Sequence, residues 1–267
     1  MGRGERAELA GGHRAVSLRA NARLEVADVD GTLVLSSVRS EPPFAIRRCG
    51  DRVMVAGSAA SPVGGDRLSL DVVVGAGATL DLGTVAATMV WPGAEPGRSE
   101  MATSCVVGER AHLDWHPEPT VSVVGSDHLI TTHVDLASTA TCRLIDELSL
   151  GRHGEPSGAL EWRMRVERGG RVLVHHAERF GPDVAGHGSV VGVGSARHVC
   201  SAVLVGVDAG RARTRVDGAA AGGWLPITDD TVVVMAVGPN RPEVLALLKT
   251  LAPELFTGRD RPSGAAA

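Results

Sequence analysis

Three side chains that could bind a metal alternate in the segment AHLDWHPEP, where His112, Asp114 and His116 are separated by Leu113 and Trp115. In a β-strand, this two-residue period would direct both imidazoles and the carboxylate to one face. With further ligands from distant strands, the set would support a metal-dependent hydrolase. The same alternation is also typical of a half-exposed strand that binds nothing. The segment therefore leaves a metal site and an ordinary strand as open alternatives.

No other segment carries a recognised catalytic or nucleotide-binding motif. The chain lacks a GxSxG elbow, an HExxH helix and a GxxxxGK[ST] loop. The glycine cluster VVVGAGATLDLG follows a strand-like run, but its spacing is not that of a dinucleotide fingerprint, and the next residues alternate like a strand. His175 and His176 are adjacent, so in a strand they point to opposite faces and cannot easily share a metal. These patterns predict neither a motif-based hydrolase nor a nucleotide site.

Composition narrows the possible partners and the compartment. The 267 residues include 27 Lys and Arg against 31 Asp and Glu, so the formal net charge is -4 and nucleic acid is not an expected partner. No uncharged apolar run approaches the ~18 residues of a membrane helix, and the charged N-terminus is no secretory signal. Four isolated cysteines without a CxxC pair are typical of buried thiols in a reducing compartment. We therefore expect a soluble, cytoplasmic protein.

Alternating segments such as RLSLDVVV and LEWRMRVE recur between glycine-rich turns such as VDG, GAGA and ERGG. The pattern predicts a mainly β protein: a single β-rich domain of stacked antiparallel or mixed sheets, β-helix-like or sandwich-like. The clearest helix is RPEVLALLKTLAPELF near the C-terminus, which Pro253 ends or kinks. The segment STATCRLIDELSL is either a second helix or a strand. We assign the domain to residues 20–256, after an N-terminal segment of residues 1–19 and before a disordered tail of residues 257–267.

Two segments, DWHPEPTVSV and VDLASTATCRLIDELSLGRHGEPSG, resemble the UreD family of urease accessory proteins, also called UreH. They carry an acidic-Trp-x-Pro segment, a strand that ends in an acidic residue followed by Gly-Arg, and a Gly-Glu pair with a later glycine. Upstream, GGDRLSLDVVV and LGTVAATMVW are similar to the family's Gly-Gly-Asp segment and threonine-rich strand. The matching positions are Gly64, Gly65, Asp66, Thr84, Ala86, Ala87, Thr88, Asp114, Trp115, Pro117, Glu118, Glu147, Gly151, Arg152, Gly154, Glu155 and Gly158.

The threonine-rich strand also departs from the family pattern. Val85 stands where the family usually has glutamine, and Met89, Val90 and Trp91 stand where it has basic and aromatic residues. His112 and His116 are not residues that the family pattern requires. We therefore carry over no detailed role on that strand, and the resemblance favours an ordinary strand over a metal site at His112, Asp114 and His116.

The resemblance implies a role without catalysis. A UreD-like chaperone would act with UreF and the GTPase UreG on the urease apoprotein to insert nickel, and the missing phosphate loop fits a GTP site in the partner. No tightly bound cofactor is expected, although nickel would bind transiently in a passage through the β-rich scaffold. Weak oxygen and imidazole ligands suit such a passage. The candidate nickel-route carboxylates are Asp66, Glu118, Glu147 and Glu155, with Arg152 at the passage or at a partner surface.

Two alternatives remain open at this point. The five charged residues could be ordinary solvated charges or salt bridges. The chain would then be a plain scaffold for UreF with no ion traffic, or the metal-dependent hydrolase of the first hypothesis.

Overall fold

The structure is a computed structural model that describes residues 17–189 and 193–256. Most of the predicted N-terminal segment, residues 1–16, and the whole predicted tail, residues 257–267, lie outside the described residues.

Eighteen strands and one α-helix make up the described chain. The first nine strands are β1 (Arg19–Val29), β2 (Thr32–Arg39), β3 (Phe44–Cys49), β4 (Arg52–Gly57), β5 (Arg67–Val74), β6 (Thr79–Thr84), β7 (Thr88–Val90), β8 (Ser99–Val107) and β9 (His112–His116). The others are β10 (Thr120–Ser122), β11 (Asp127–Leu136), β12 (Thr141–Ser149), β13 (Ala159–Arg168), β14 (Arg171–Phe180), β15 (His198–Val205), β16 (Arg213–Asp217), β17 (Ala220–Thr228) and β18 (Thr231–Gly238). Helix α1 (Arg241–Leu251) and a short 3-10 helix (Pro253–Leu255) follow. The predicted mainly β fold is confirmed.

The strands form two stacked sheets. The first sheet has the order β14-β13-β11-β8-β5-β1-β2, and the second has the order β16-β17-β18-β15-β12-β9-β6-β4-β3. From β5 to β12 the chain passes repeatedly from the first sheet to the second, and each new strand lies parallel to its counterpart in the previous turn. Short strands β7 and β10 pair with each other, and β10 also pairs with β12. The central part is therefore a β-helix-like solenoid, and antiparallel strands extend it at both ends.

The main core lies between the two sheets. Along β5, buried side chains alternate with half-buried ones, as the two-residue period of a strand requires. Leu70 in the first sheet and Leu113 in the second are fully buried in this core. Strand β12 differs, because Ile145, Asp146, Glu147 and Leu148 are all buried. The segment STATCRLIDELSL therefore contains a strand covered on both faces, and its alternative prediction as a helix was wrong.

Helix α1 covers the outer face of the second sheet, where it packs against β15, β16, β17 and β18. The Asn240 side chain caps its N-terminus by accepting a hydrogen bond from the backbone N–H of Glu243. Its buried residues form a second core with apolar side chains of the sheet; they are Val244, Leu247, Leu248 and Leu251. The helix ends at Leu251, before Pro253, as predicted.

In the described part of the chain, no helix is long and apolar enough to cross a membrane.

Gly158 marks a close approach between backbone segments. A Cβ atom at this position would lie 2.3 Å from the Ser126 hydroxyl oxygen and 2.3 Å from the Val123 carbonyl oxygen. The Gly158 N–H donates to the Ser122 carbonyl at 3.1 Å, which holds the chain close to β10. Only glycine fits this contact without a shift of the backbone.

We expect Gly158→Ala to lower the free energy of unfolding by about 1–3 kcal/mol, the usual cost of overpacking a close contact. Gly57→Ala is the control, because no atom lies within 4 Å of a Cβ at Gly57. It should change stability by less than about 0.5 kcal/mol. Denaturant unfolding of both variants measures the difference, and equal stability of the two would contradict the close approach.

Candidate functional site

Glu147 is a buried carboxylate on the outer face of the second sheet. It lies on β12 and is 2% exposed, and its side chain has no exposure at all. Strand β9 lies on one side of β12 and β15 on the other. Helix α1 covers this face of the sheet, and its first residue, Arg241, reaches the carboxylate. Four elements therefore enclose one acidic group.

Four hydrogen bonds reach the Glu147 carboxylate. His116 Nε2 lies 2.9 Å from Oε1, and His198 Nε2 lies 3.0 Å from Oε2. Arg241 donates from Nε to Oε2 at 2.7 Å and from Nη2 to Oε1 at 2.9 Å. An ionised carboxylate only accepts hydrogen bonds, so both imidazole Nε2 atoms carry the proton in this arrangement. We call Glu147, His116, His198 and Arg241 the Glu147 cluster.

Opposing effects set the charge of Glu147. Burial raises the pKa of its carboxyl, but hydrogen bonds from His198 and Arg241, together with their charges, outweigh burial and place the pKa below its ordinary value. The carboxylate is therefore ionised at neutral pH. The hydrogen bonds to Glu147 raise the pKa of the Arg241 guanidinium above its ordinary value, so this pair holds both charges.

Arg241 also links the buried cluster to the surface. Its Nη1 lies 3.1 Å from Oε2 of Glu118, whose side chain is 41% exposed. As the first residue of α1, Arg241 carries a positive charge at the helix end that disfavours cations. The two carboxylates supply the attraction that keeps the guanidinium there.

An open cleft of about 770 Å³ lies next to the cluster. His198 and Arg241 line it on one side, and the loop that follows β12 lines it on the other. In that loop Arg152 donates to Glu155 from Nε at 2.6 Å and from Nη2 at 2.8 Å. The Arg152 guanidinium also lies over the Trp91 ring, 5.2 Å from its centroid. The cleft is thus bounded by paired charges.

Of the four predicted route carboxylates, Glu155 lines this cleft, and Glu147 and Glu118 contact Arg241, which also lines it. Asp66 does not join them. Its carboxylate accepts hydrogen bonds from Leu18 N at 2.8 Å, Ser61 Oγ at 2.6 Å and Val63 N at 2.9 Å. This carboxylate holds the turn before β5 together.

The alternating set His112, Asp114 and His116 lies on β9, as predicted, but each side chain has a different partner. His112 Nδ1 lies 2.8 Å from Thr141 Oγ1, Asp114 pairs with Arg143, and His116 contacts Glu147. Within residues 17–189 and 193–256, no three His, Cys, Asp or Glu side chains are placed to hold a metal ion. The geometry does not bring this set together as metal ligands.

The remaining matched positions have structural contacts. Gly65 and Gly151 have φ angles of 95° and 87°, a region that glycine enters without strain. Thr84 Oγ1 accepts from the Glu118 N–H at 2.8 Å, directly after Pro117. Trp115 is 4% exposed and lines a separate, mostly apolar cavity of about 360 Å³.

Sequence reasoning missed His198, Arg241 and Asp146 as members of the site region. His198 and Arg241 lie 51 and 94 residues from Glu147, so no local spacing links them. Asp146 had a usable signal, because it is one of two adjacent acidic residues in a segment that is apolar on both sides.

The prediction that the cysteines are buried was wrong at one position: Cys49 is exposed, whereas Cys105, Cys142 and Cys200 are buried.

Asp146 points in the opposite direction to Glu147, into the core between the sheets. It accepts hydrogen bonds from Trp162 Nε1 at 3.0 Å and Thr132 Oγ1 at 3.4 Å, both from strands of the first sheet. Burial raises the pKa of its carboxyl to about 6, although these two hydrogen bonds lower it in part. Strand β12 therefore presents one carboxylate to each side of the second sheet.

Comparison with known proteins gives one consistent result. The family model described as "UreD urease accessory protein" matches residues 18–262. A urease accessory protein UreD of Frankia casuarinae is 32% identical, over 94% of this chain and 88% of that protein. A UreD of Streptomyces coelicolor is 35% identical, over 88% of this chain and 95% of that protein. A "UreD 2" of Saccharopolyspora erythraea is 40% identical, but the aligned part spans 63% of this chain and 62% of that protein.

We expect Asp146→Asn to stabilise the protein increasingly as pH rises. The pKa of Asp146 is raised from 3.8 to about 6 on folding, so the native state binds an extra proton between these values and the wild type loses stability as pH rises through them. The asparagine does not titrate. Its stability advantage should therefore grow by about 3 kcal/mol between pH 4 and pH 7, from two pKa units at 1.36 kcal/mol each.

Denaturant unfolding at a series of pH values measures this advantage. Asp135→Asn, at an exposed position on the neighbouring strand β11, is the matched control and should show no comparable trend. A stability difference for Asp146→Asn that stays constant from pH 4 to pH 7 would contradict the burial of an ionised Asp146.

Proposed function

We propose that this chain, which belongs to the UreD family of urease accessory proteins, is a chaperone without catalytic activity of its own that helps assemble the nickel centre of urease. Membership of an accessory family supports a non-catalytic role. Nickel is the cargo in this proposal, and no tightly bound cofactor is needed. The cytoplasmic location expected from the sequence is part of the same proposal.

The proposed partners are UreF, UreG and the urease apoprotein. Family membership supports action within the urease machinery, and the individual partners follow from the resemblance seen in the sequence. UreG would supply GTP hydrolysis, which agrees with the lack of a phosphate-binding loop motif in this sequence. This chain would then contribute a surface and an ion route.

The Glu147 cluster is the observation that carries the ion route. A fully buried, ionised carboxylate with two imidazoles lies beside an open cleft; a second candidate carboxylate, Glu155, lines the cleft, and a third, Glu118, pairs with Arg241. Carboxylate and imidazole are ligands that divalent nickel accepts, and a small number of them holds the ion without trapping it. Asp66 is set aside as a route residue because its oxygen atoms hold a turn. Asp146 replaces it as a candidate route residue, because it is a carboxylate on the inner side of the second sheet.

A plain scaffold role has its own supporting observation. Val216, Leu225 and Ile227 are 75%, 43% and 47% exposed on the edge hairpin of β16 and β17. Exposed apolar side chains beside an unpaired strand edge are typical of a surface that another protein covers. This surface is compatible with UreF binding whether or not nickel passes through the chain.

Co-expression of the urease subunits and accessory partners, with and without this chain, tests the proposed function. We expect urease activity and nickel content to depend on the chain. Glu147→Gln should still bind the partners, because Arg241 keeps Glu118 as an anchor, but should reduce urease activity several-fold when nickel is limiting. The change removes a charge while nearly preserving shape.

Glu100→Gln provides the matched control, because Glu100 is a partly exposed carboxylate on the first sheet that pairs with Arg67. It should activate urease as the wild type does. Loss of complex and activity together in Glu147→Gln would assign Glu147 to structure or docking, as the plain scaffold requires. Full activation by urease partners without the chain would contradict the proposed function itself.

A further inference from the structure

We propose that the mostly apolar cavity beside Trp115 binds a small organic molecule that carries one hydrogen-bond acceptor, such as a ketone or an ester. The cavity has a volume of about 360 Å³ and lies between strands of the two sheets. Among the described residues, no charged side chain lines it, so the ligand is uncharged and no metal takes part. This inference goes beyond the proposed role in nickel assembly and does not depend on it.

The walls of the cavity come from both sheets. Leu68 and Leu70 of β5 line it from the first sheet, and Val55 of β4 and Trp115 of β9 line it from the second. All four residues are buried, with exposed fractions between 0% at Leu70 and 6% at Val55. An apolar molecule that covers such walls is removed from water, and this supplies most of its binding free energy.

The cavity has room for a ring compound and an entrance for it. A cavity of about 150 Å³ holds a benzene molecule. The cavity beside Trp115, at about 360 Å³, therefore accepts a ring with substituents. Four alanines line it at exposed positions, and their small side chains mark the entrance: Ala59, Ala60, Ala86 and Ala87.

Trp115 carries a hydrogen-bond donor that the protein does not use. It is 4% exposed, and its Nε1 is buried without a hydrogen-bond partner in the described part of the chain. The other two buried tryptophans differ, because Trp162 Nε1 donates to Asp146 at 3.0 Å and Trp224 Nε1 donates to the Ala209 carbonyl at 2.7 Å. A buried N–H without an acceptor destabilises the protein, and an acceptor on a molecule in the cavity removes this cost.

Two hydroxyl groups that line the cavity already have partners. Thr84 Oγ1 accepts from the Glu118 N–H at 2.8 Å, and Ser61 Oγ donates to Asp66 at 2.6 Å. These contacts hold the loops around the cavity, whereas the N–H of Trp115 is available. The site therefore favours an apolar molecule with one acceptor over a hydrocarbon of the same shape.

The cavity also brings together two segments that the sequence singled out. The threonine-rich segment contributes Thr84, Ala86, Ala87 and Thr88, and the acidic-Trp-x-Pro segment contributes Trp115. None of these residues belongs to the Glu147 cluster. A ligand in the cavity would contact both segments at once.

Acetophenone, an aromatic ketone, is a suitable probe. Its titration into the purified full-length wild-type chain is followed by the indole N–H signals in NMR spectra. We expect the Trp115 signal to shift in a saturable way, because its N–H gains an acceptor. The signals of Trp162 and Trp224 should stay in place, because their N–H groups already have acceptors.

A variant and a second probe test the hydrogen bond itself. α-Methylstyrene has the shape of acetophenone, with a CH₂ group in place of the carbonyl oxygen. Trp115→Phe removes the N–H and keeps an aromatic ring, so the affinity for acetophenone relative to that for α-methylstyrene should fall about five-fold, the value of one neutral hydrogen bond. The ratio cancels any apolar contact that both probes lose.

Leu225→Ala is the control variant, because Leu225 is an exposed apolar residue outside the cavity. It should bind both probes as the wild type does. A Trp115 signal that does not move, an unchanged affinity ratio in Trp115→Phe, or loss of binding in Leu225→Ala would overturn the inference. The NMR titration needs only the wild-type chain, so it stands even where a variant fails to fold.

Discussion

The charge on Glu147 must be neutralised inside the protein, and much of the site follows from this constraint. Strands β9 and β15 supply an imidazole on each side, and helix α1 supplies a guanidinium from its first residue. The helix is thereby fixed in two ways: apolar side chains of its later turns pack into the second core, and Arg241 fixes its N-terminus to the sheet. A carboxylate that is costly to bury without a partner thus orients the element that covers it.

Strand β12 gives the same chemical group two different environments. Adjacent strand residues point to opposite faces, so Asp146 faces the core between the sheets and Glu147 faces α1. Burial dominates at Asp146 and raises the pKa of its carboxyl to about 6, whereas His198 and Arg241 hold the pKa of Glu147 below its ordinary value. One strand therefore carries a carboxylate that is easily protonated and another that stays charged. Both carboxylates are buried because the second sheet is covered on both faces.

Local signals in the sequence predicted the elements, but not the site. The two-residue period identified the strands, and proline and apolar spacing identified α1. The matched motifs gave Glu147 and Asp66 the same predicted role, because sequence cannot show whether a carboxylate lies beside a cleft or closes a turn. Arg241 looked like an ordinary first-turn residue, and His198 had no neighbour to suggest a function. His198 and Arg241 become part of the site only through the order of strands in the second sheet, which no local sequence pattern predicts.

The most direct test of the constraint at Glu147 is a double-mutant cycle of Glu147→Gln and Arg241→Gln, measured by denaturant unfolding. Arg241 donates to both oxygens of Glu147, so the two variants should be coupled by about 1–3 kcal/mol in the free energy of unfolding. Additive effects of the two substitutions would contradict the neutralisation of Glu147 by Arg241.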